Sequence, residues 1–346
     1  MRSRPDVLVL GAGGVLGEAW LSGVLAGLED AARIELNRCD YLLGTSAGAI
    51  VAARLAAGLP LDRPARCDLT SEPHADRDPD ASPGAGGPLA WTARAAEQVA
   101  SLALELGTPA VPLAIELATP TAALTRAAVL RTAPRPRESL GDLRRRLDET
   151  GVRFDGRLRV AAVARRSGRR FVFGQPGAPA ATVAQAVEAS CAVPWLFAPV
   201  RIGDVEYVDG GIWSPTNLDA APVARGSLVL CLSPTAGRGG TSPLARGLRG
   251  ASRAATEVEA TALRARGAEV TVVAPDARCV AAIGGDLMDR GRRSAVLAAA
   301  YRQGRALGAA GPASPRLGRV GAGLRALHGS PARARAAALE RLVRAR

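Results

Sequence analysis

The chain has 346 residues, 48% hydrophobic and only 3% aromatic, with a formal net charge of +13. That length can bury a substantial core, packed with Ala, Val and Leu rather than with rings. Lysine is absent and all 45 basic residues are arginine, which excludes a P-loop ammonium, Schiff-base chemistry, a Ser-Lys dyad and the Tyr-Lys pair of short-chain dehydrogenases.

Met1 to Pro5 begin basic, but the apolar run that follows stops at Leu10, so no signal peptide is expected and the cytoplasm is the expected compartment. Val7 to Leu10 reads as a buried parallel strand, running into Gly11-Ala12-Gly13-Gly14-Val15-Leu16-Gly17 and then a helix from Glu18 to about Ala32. Glycines at such a turn let backbone N–H groups converge on an anionic oxygen at a helix N-terminus. Two functions fit. One is a dinucleotide pyrophosphate site on Gly11, Gly14 and Gly17, although the G-x-G-x-x-G spacing fails at Leu16. The other is an oxyanion hole serving a downstream nucleophile.

Such a nucleophile follows. Cys39 to Leu43 reads as a buried strand and Ala47 to Ala57 as a helix, so Gly44-Thr45-Ser46-Ala47-Gly48 is a nucleophile-elbow pattern that exposes Ser46 on a sharp strand-to-helix turn. By itself the pattern is also compatible with an ordinary serine in a glycine-rich turn.

Thr70 to Gly87 is rich in Asp, Pro, Gly and Ser and reads as a connector. Leu89 to Leu147 is interrupted by Pro109, Pro112, Pro120, Pro134 and Pro136 and predicts several short helices, so residues 70–150 form an insertion. Its apolar stretch from Val99 to Leu130 reads first as ordinary core; the alternative is a cap whose apolar face accepts acyl chains or touches a membrane.

Arg157 to Ala164 and Arg170 to Phe173 predict a hairpin around Ser167-Gly168. Val205 to Val208 predicts a strand that delivers Asp209 to its end, with Gly210 and Gly211 turning the chain away. A partly buried carboxylate within hydrogen-bond reach of a serine can act as its general base, whereas an isolated Asp-Gly-Gly is commonly a turn. Ser227 to Leu232 and Glu269 to Ala274 read as two further buried strands, Ala251 to Arg266 as a helix between them, and Gly285 to Ala306 as helical; no internal repeat is evident.

From Gly311 to Arg346 eight arginines face one acid, Glu340. A tail of that charge favours polyanions such as anionic lipid headgroups, although a solvated basic helix needs no partner. Nucleic acid is not expected, because no aromatic-interleaved basic patch is present. The five cysteines, at positions 39, 67, 191, 231 and 279, are scattered without a C-x-x-C, so reduced thiols and no structural metal are expected. No uninterrupted apolar run reaches the roughly 20 residues of a membrane span. The two histidines, His74 in a polar loop and His328 in the tail, read as solvated.

Taken in order, Gly13-Gly14-x-x-Gly17, Gly44-x-Ser46-x-Gly48 and Asp209-Gly210-Gly211 resemble the patatin-like phospholipases. Glu188-Ala189-Ser190-Cys191-Ala192-Val193-Pro194 is similar to the segment preceding that family's aspartate, and Ser214-Pro215-Thr216-Asn217 to the one following it, so the resemblance runs from about Val7 to Asn217. It implies a three-layer α/β/α hydrolase with a mostly parallel central sheet, occupying residues 1–310 ahead of a basic extension at 311–346. It further implies a Ser-Asp dyad with Ser46 as nucleophile and Asp209 as base, and an oxyanion hole from the Gly13 and Gly14 amides, with Ala47 a further donor. The implied substrates are lipid carboxylic esters, with no cofactor or metal, and peripheral contact with an anionic membrane fits. Many members of that family carry Arg or Lys where this chain has Leu16, which leaves the backbone dipoles to stabilise the oxyanion. Two alternatives stay open: the dinucleotide site, and an α/β-hydrolase triad of Ser46, Asp209 and His328.

Overall fold

The computed structural model describes residues 4–65, 123–133, 136–240 and 243–310. Its strands are β1 (Val7–Leu10), β2 (Tyr41–Thr45), β3 (Leu158–Ala164), β4 (Arg170–Phe173), β5 (Val200–Ile202), β6 (Val205–Asp209), β7 (Leu228–Leu232) and β8 (Glu269–Val273). Its helices are α1 (Gly14–Ala32), α2 (Ala47–Ala56), α3 (Ala123–Thr132), α4 (Gly141–Glu149), α5 (Val183–Cys191), α6 (Pro243–Ala265), α7 (Ala277–Ile283) and α8 (Arg293–Ala310).

All eight strands join one sheet through the hydrogen-bonded path β5-β6-β3-β2-β1-β7-β8, with β4 on the other edge of β3. The pairs β1–β2, β2–β3, β1–β7 and β7–β8 are parallel, and those involving β4, β5 and β6 are antiparallel. This is the expected mostly parallel α/β sheet. The period of two along β1 separates its faces: Leu8 and Leu10 enter a core with α1, α2, α5 and α8, whereas Val7 and Val9 pack with Ala260 and Leu263 of α6 on the other side. From β1 the chain steps to β2 and β3 in one direction, while β7 and β8 lie in the other. The loop after β1 therefore sits at the topological switch point, where ligands of open α/β sheets bind.

Helix α8 covers α1 through small residues. A Cβ on Gly304 would run into the Val24 carbonyl, and one on Gly27 into the Tyr301 carbonyl, so the two backbones approach more closely than any larger side chain permits.

Several boundaries differ from expectation. The elbow strand is Tyr41–Thr45 rather than Cys39 to Leu43, because Leu36–Arg38 forms a short 3₁₀ turn and delays pairing until Tyr41 meets Val7. Helix α1 starts at Gly14, four residues before Glu18, where a glycine with φ of 61° makes the turn. Helix α6 starts at Pro243 instead of Ala251, as proline at a first helical turn allows. The helical stretch from Gly285 to Ala306 is instead α8 from Arg293, preceded by the separate α7, which Asp276 caps and Gly284 ends at φ of 67°. Strand β5 had no sequence signal, being three residues long.

The connector at Thr70 to Gly87, Val99 to Ala122 of the apolar stretch, His74, His328, Cys67 and the basic tail at 311–346 lie outside the described residues; of the insertion, the described parts contain α3 and α4. Cys39, Cys191, Cys231 and Cys279 are buried free thiols. Among the described residues no helix is long and apolar enough to cross a membrane, and no cluster of three or more His, Cys, Asp or Glu could hold a metal ion.

Candidate active site

Ser46 and Asp209 converge because two strands end on the same edge of a third. Thr45, the last residue of β2, pairs with Ala161 of β3, and Asp209, the last residue of β6, pairs with Ala162. Strand β4 occupies the opposite edge of β3 over Val160 to Val163, so β2 and β6 must share the remaining one and meet end to end. The next residue after β2 is Ser46, which is thereby aimed at the end of β6.

Ser46 adopts φ of 52° and ψ of −121°, a conformation that a non-glycine residue holds only when its surroundings enforce it. The flanking glycines have steric reasons. A Cβ on Gly48 would overlap the Leu10 carbonyl of β1, and one on Gly44 would overlap Ala49 of α2, so the helix can turn back onto the sheet only with both side chains missing.

Both backbones are pinned by the end of α5. The Ser46 amide donates to the Ser190 hydroxyl at 2.9 Å, that hydroxyl donates to the Ala161 carbonyl at 2.6 Å, and the Asp209 amide donates to the Ala192 carbonyl at 2.9 Å. A second clamp is Asn217, fully buried and itself left-handed at φ of 51°. Its side-chain amide donates to the Thr45 hydroxyl at 3.1 Å, the Gly210 carbonyl at 3.2 Å and the Ser214 carbonyl at 2.9 Å. It therefore ties the residue before Ser46 to the residue after Asp209.

Proximity of the Ser46 hydroxyl pulls the pKa of the Asp209 carboxyl down, as does the Gly211 amide, which donates to Oδ1 at 2.6 Å. Burial outweighs both and pushes Asp209 up to about 6. The Cys191 thiol lies against the same serine and is driven well above its ordinary pKa by burial and by the Asp209 charge, so it is present as a neutral thiol. The site thus pairs a hydroxyl with a carboxylate that can both hold and release a proton near neutrality.

The glycine loop lies against this pair. The Ala12 amide donates to the Pro215 carbonyl at 2.8 Å, and Gly211 packs beside Ala12. The amides of Gly13, Gly14 and Ala47 make no hydrogen bond among the described residues. Gly17 has a structural role, its amide donating to the Gly13 carbonyl at 2.8 Å, and the Gly11 amide is held by the Leu232 carbonyl at 2.9 Å. The Leu287 carbonyl accepts the Leu16 amide at 2.9 Å and would crowd any side chain at Gly14, so the Leu16 amide is not open to a dinucleotide pyrophosphate. The Leu16 side chain is fully buried in the core, away from any role in the site.

The sequence reading names Ser46, Asp209 and the glycines as candidates. It quoted Ser190 and Asn217 within larger segments without assigning either a task, since only the fold reveals which backbone groups they hold. It gave nothing for Glu259 of α6, whose carboxylate reaches the same segment by accepting from the Thr216 hydroxyl at 2.7 Å and the Leu218 amide at 2.9 Å.

A family model described as patatin-like phospholipase matches residues 8–222. No curated protein matches the chain. Among solved structures, VipD from Legionella pneumophila is similar with 16% identity and a TM-score of 0.38, over 87% of this chain. The match spans 66% of the VipD chain.

Proposed function

Because the chain belongs to the patatin-like phospholipase family, we propose that it is a serine acyl hydrolase that cleaves lipid carboxylic esters with a Ser46–Asp209 dyad. The observation that supports this reading is the end-to-end meeting of β2 and β6 on β3, which brings Ser46 to the buried Asp209, whose carboxyl burial pushes up to about 6. A base near neutrality combines the required ionisation with enough basicity to take a serine proton. Catalytic hydrogen bonds are commonly loose before substrate arrives and tighten in the complex.

In acylation the Ser46 oxygen attacks the ester carbonyl carbon while its proton passes to Asp209. The negative charge moves to the carbonyl oxygen, where the Gly13 and Gly14 amides, with Ala47 as a further donor, stabilise it. Collapse of the tetrahedral adduct breaks the ester C–O bond, and the protonated Asp209 returns its proton to the departing alkoxide. In deacylation Asp209 takes a proton from water, the hydroxide attacks the acyl-enzyme, and the carboxylic acid leaves as Ser46 regains its proton. On this reading residues 1–310 form the hydrolase domain and 311–346 a basic extension suited to anionic lipid surfaces.

The test is labelling of the full chain with a fluorophosphonate probe followed by peptide mapping. Modification at Ser46, lost in Ser46→Ala, is the expected result. Modification of a different serine would remove the basis of the reading.

A further inference from the structure

We propose that Glu259 is a positioning residue for the Ser46–Asp209 pair, holding the Thr216–Leu218 segment so that Asn217 keeps both arms of the site in register. The proposal rests on the dyad reading above and extends it to a residue beyond the 8–222 span matched by the family model.

Hydrogen bonds connect Glu259 to both arms of the site through Asn217. Glu259 projects from α6, on the sheet face opposite α1 and α2. One carboxylate oxygen, Oε2, accepts from the Thr216 hydroxyl at 2.7 Å and from the Leu218 amide at 2.9 Å, and so brackets Asn217 on both sides. The Ser214 hydroxyl accepts the Thr216 amide at 3.2 Å and the Asn217 amide at 3.0 Å, closing the loop from within. Asn217, at its left-handed φ of 51°, then delivers its side-chain amide to Thr45 and Gly210. A strained asparagine serving two catalytic arms needs a rigid support, and Glu259 supplies one from a separate helix.

The groups around Glu259 make this support sensitive to protonation. Burial and the charge of Asp219 push its carboxyl up to about 7, against the pull of the Ser214 and Thr216 hydroxyls and the Leu218 amide. Asp219 is itself held by the Arg170 guanidinium at 2.5 and 2.9 Å, and Arg170 also donates to the Asn217 side-chain Oδ1 at 3.3 Å. On β7, the Cys231 thiol is pushed up by burial and by the Glu259 charge, and is therefore neutral. Ionised Glu259 accepts both hydrogen bonds strongly; a protonated carboxyl accepts them weakly.

The test is the rate of fluorophosphonate labelling of the full chain as a function of pH, in wild type, Ser46→Ala, Glu259→Gln and Glu259→Ala, with folding followed by circular dichroism. Glu259→Ala is expected to slow labelling by about tenfold or more, because it leaves a buried amide and a hydroxyl unpaired. Glu259→Gln retains an acceptor oxygen, so its rate at pH 8 should stay within about threefold of wild type. Its acidic limb should fall with one ionisation instead of two. Should Glu259→Ala fail to fold, the change of slope in Glu259→Gln decides alone. Wild-type labelling at Ser46 with an unchanged acidic limb in Glu259→Gln, or an unchanged rate in folded Glu259→Ala, would overturn the positioning role while leaving the dyad in place. Labelling that persists in Ser46→Ala would instead overturn the dyad reading itself.

Discussion

Ser190 reaches Ser46 through the backbone: its hydroxyl accepts the Ser46 amide at 2.9 Å while donating to the Ala161 carbonyl at 2.6 Å. A single side chain therefore links the strained elbow to the strand on which Asp209 pairs. Ser190→Ala leaves a buried amide and a buried carbonyl without that partner, a loss of about 1 to 3 kcal/mol for such groups. The expected result is a folded protein with lowered denaturation midpoint and ester turnover reduced about tenfold. Turnover equal to wild type would mean that the elbow holds its geometry without Ser190.

Asp209→Asn should be inactive yet more stable at neutral pH. The amide preserves the shape and can still accept the Gly211 hydrogen bond, but it cannot take the Ser46 proton, so turnover should fall about 10² to 10⁴-fold. Stability moves the other way. Folding raises the Asp209 pKa from 3.8 to about 6, so between those values the native state binds more protons than the unfolded chain, and stability declines as pH rises through the window. Above it, the ionised buried carboxylate costs about 3 kcal/mol that the neutral amide avoids. Urea titrations should show the variant gaining on wild type between about pH 4 and 6 and holding that gain to pH 8. A variant less stable at every pH would contradict the burial argument.

Gly48→Ala tests why the elbow needs a glycine where the helix begins. The added Cβ would overlap the Leu10 carbonyl, a backbone atom fixed in the middle of the sheet between β2 and β7. Overpacking of this kind costs about 1 to 3 kcal/mol when neighbours can move, and more when they cannot. The substitution is expected to abolish soluble folded protein or to cost more than Ser190→Ala. Gly177→Ala, where φ of 77° strains the backbone but nothing stands within 4 Å, serves as the control with a smaller loss.

What the sequence made legible was local in nature. The glycine loop, the elbow and the Asp-Gly-Gly turn announce themselves because steric constraints dictate residue type at each position, as Gly48 does against Leu10. The buried strands were readable from their apolar runs, and β1, β4 and the ends of β7 and β8 fell within a residue of expectation. Helix starts were less legible, since Gly14 and Pro243 are poor helix formers that are nonetheless tolerated in a first turn. The supporting residues were hidden for a different reason. Ser190 acts across 144 residues of sequence, Asn217 across 172, and Glu259 sits on a helix face that looks solvated until its 41-residue reach to Leu218 is seen. No periodicity encodes such partners; the end-to-end meeting of β2 and β6 on β3 creates them.

The final prediction separates the dyad from a triad through the chain's two histidines, His74 and His328. A carboxylate that faces the serine directly can accept its proton unaided, whereas in a Ser-His-Asp arrangement the imidazole stands between the two and the aspartate only orients it. In this protein the Ser46 hydroxyl lies near enough to Asp209 to lower its pKa, and the Gly211 amide donates to the carboxylate. The double variant His74→Ala, His328→Ala should therefore keep most of its ester turnover. Its pH profile should also keep an acidic limb governed by buried carboxylates, with Asp209 raised to about 6. An imidazole base would remove that limb along with the histidines, and turnover would fall by several orders of magnitude. A folded double variant reduced a thousandfold would transfer the role of base to a histidine and leave Asp209 as its orienting group.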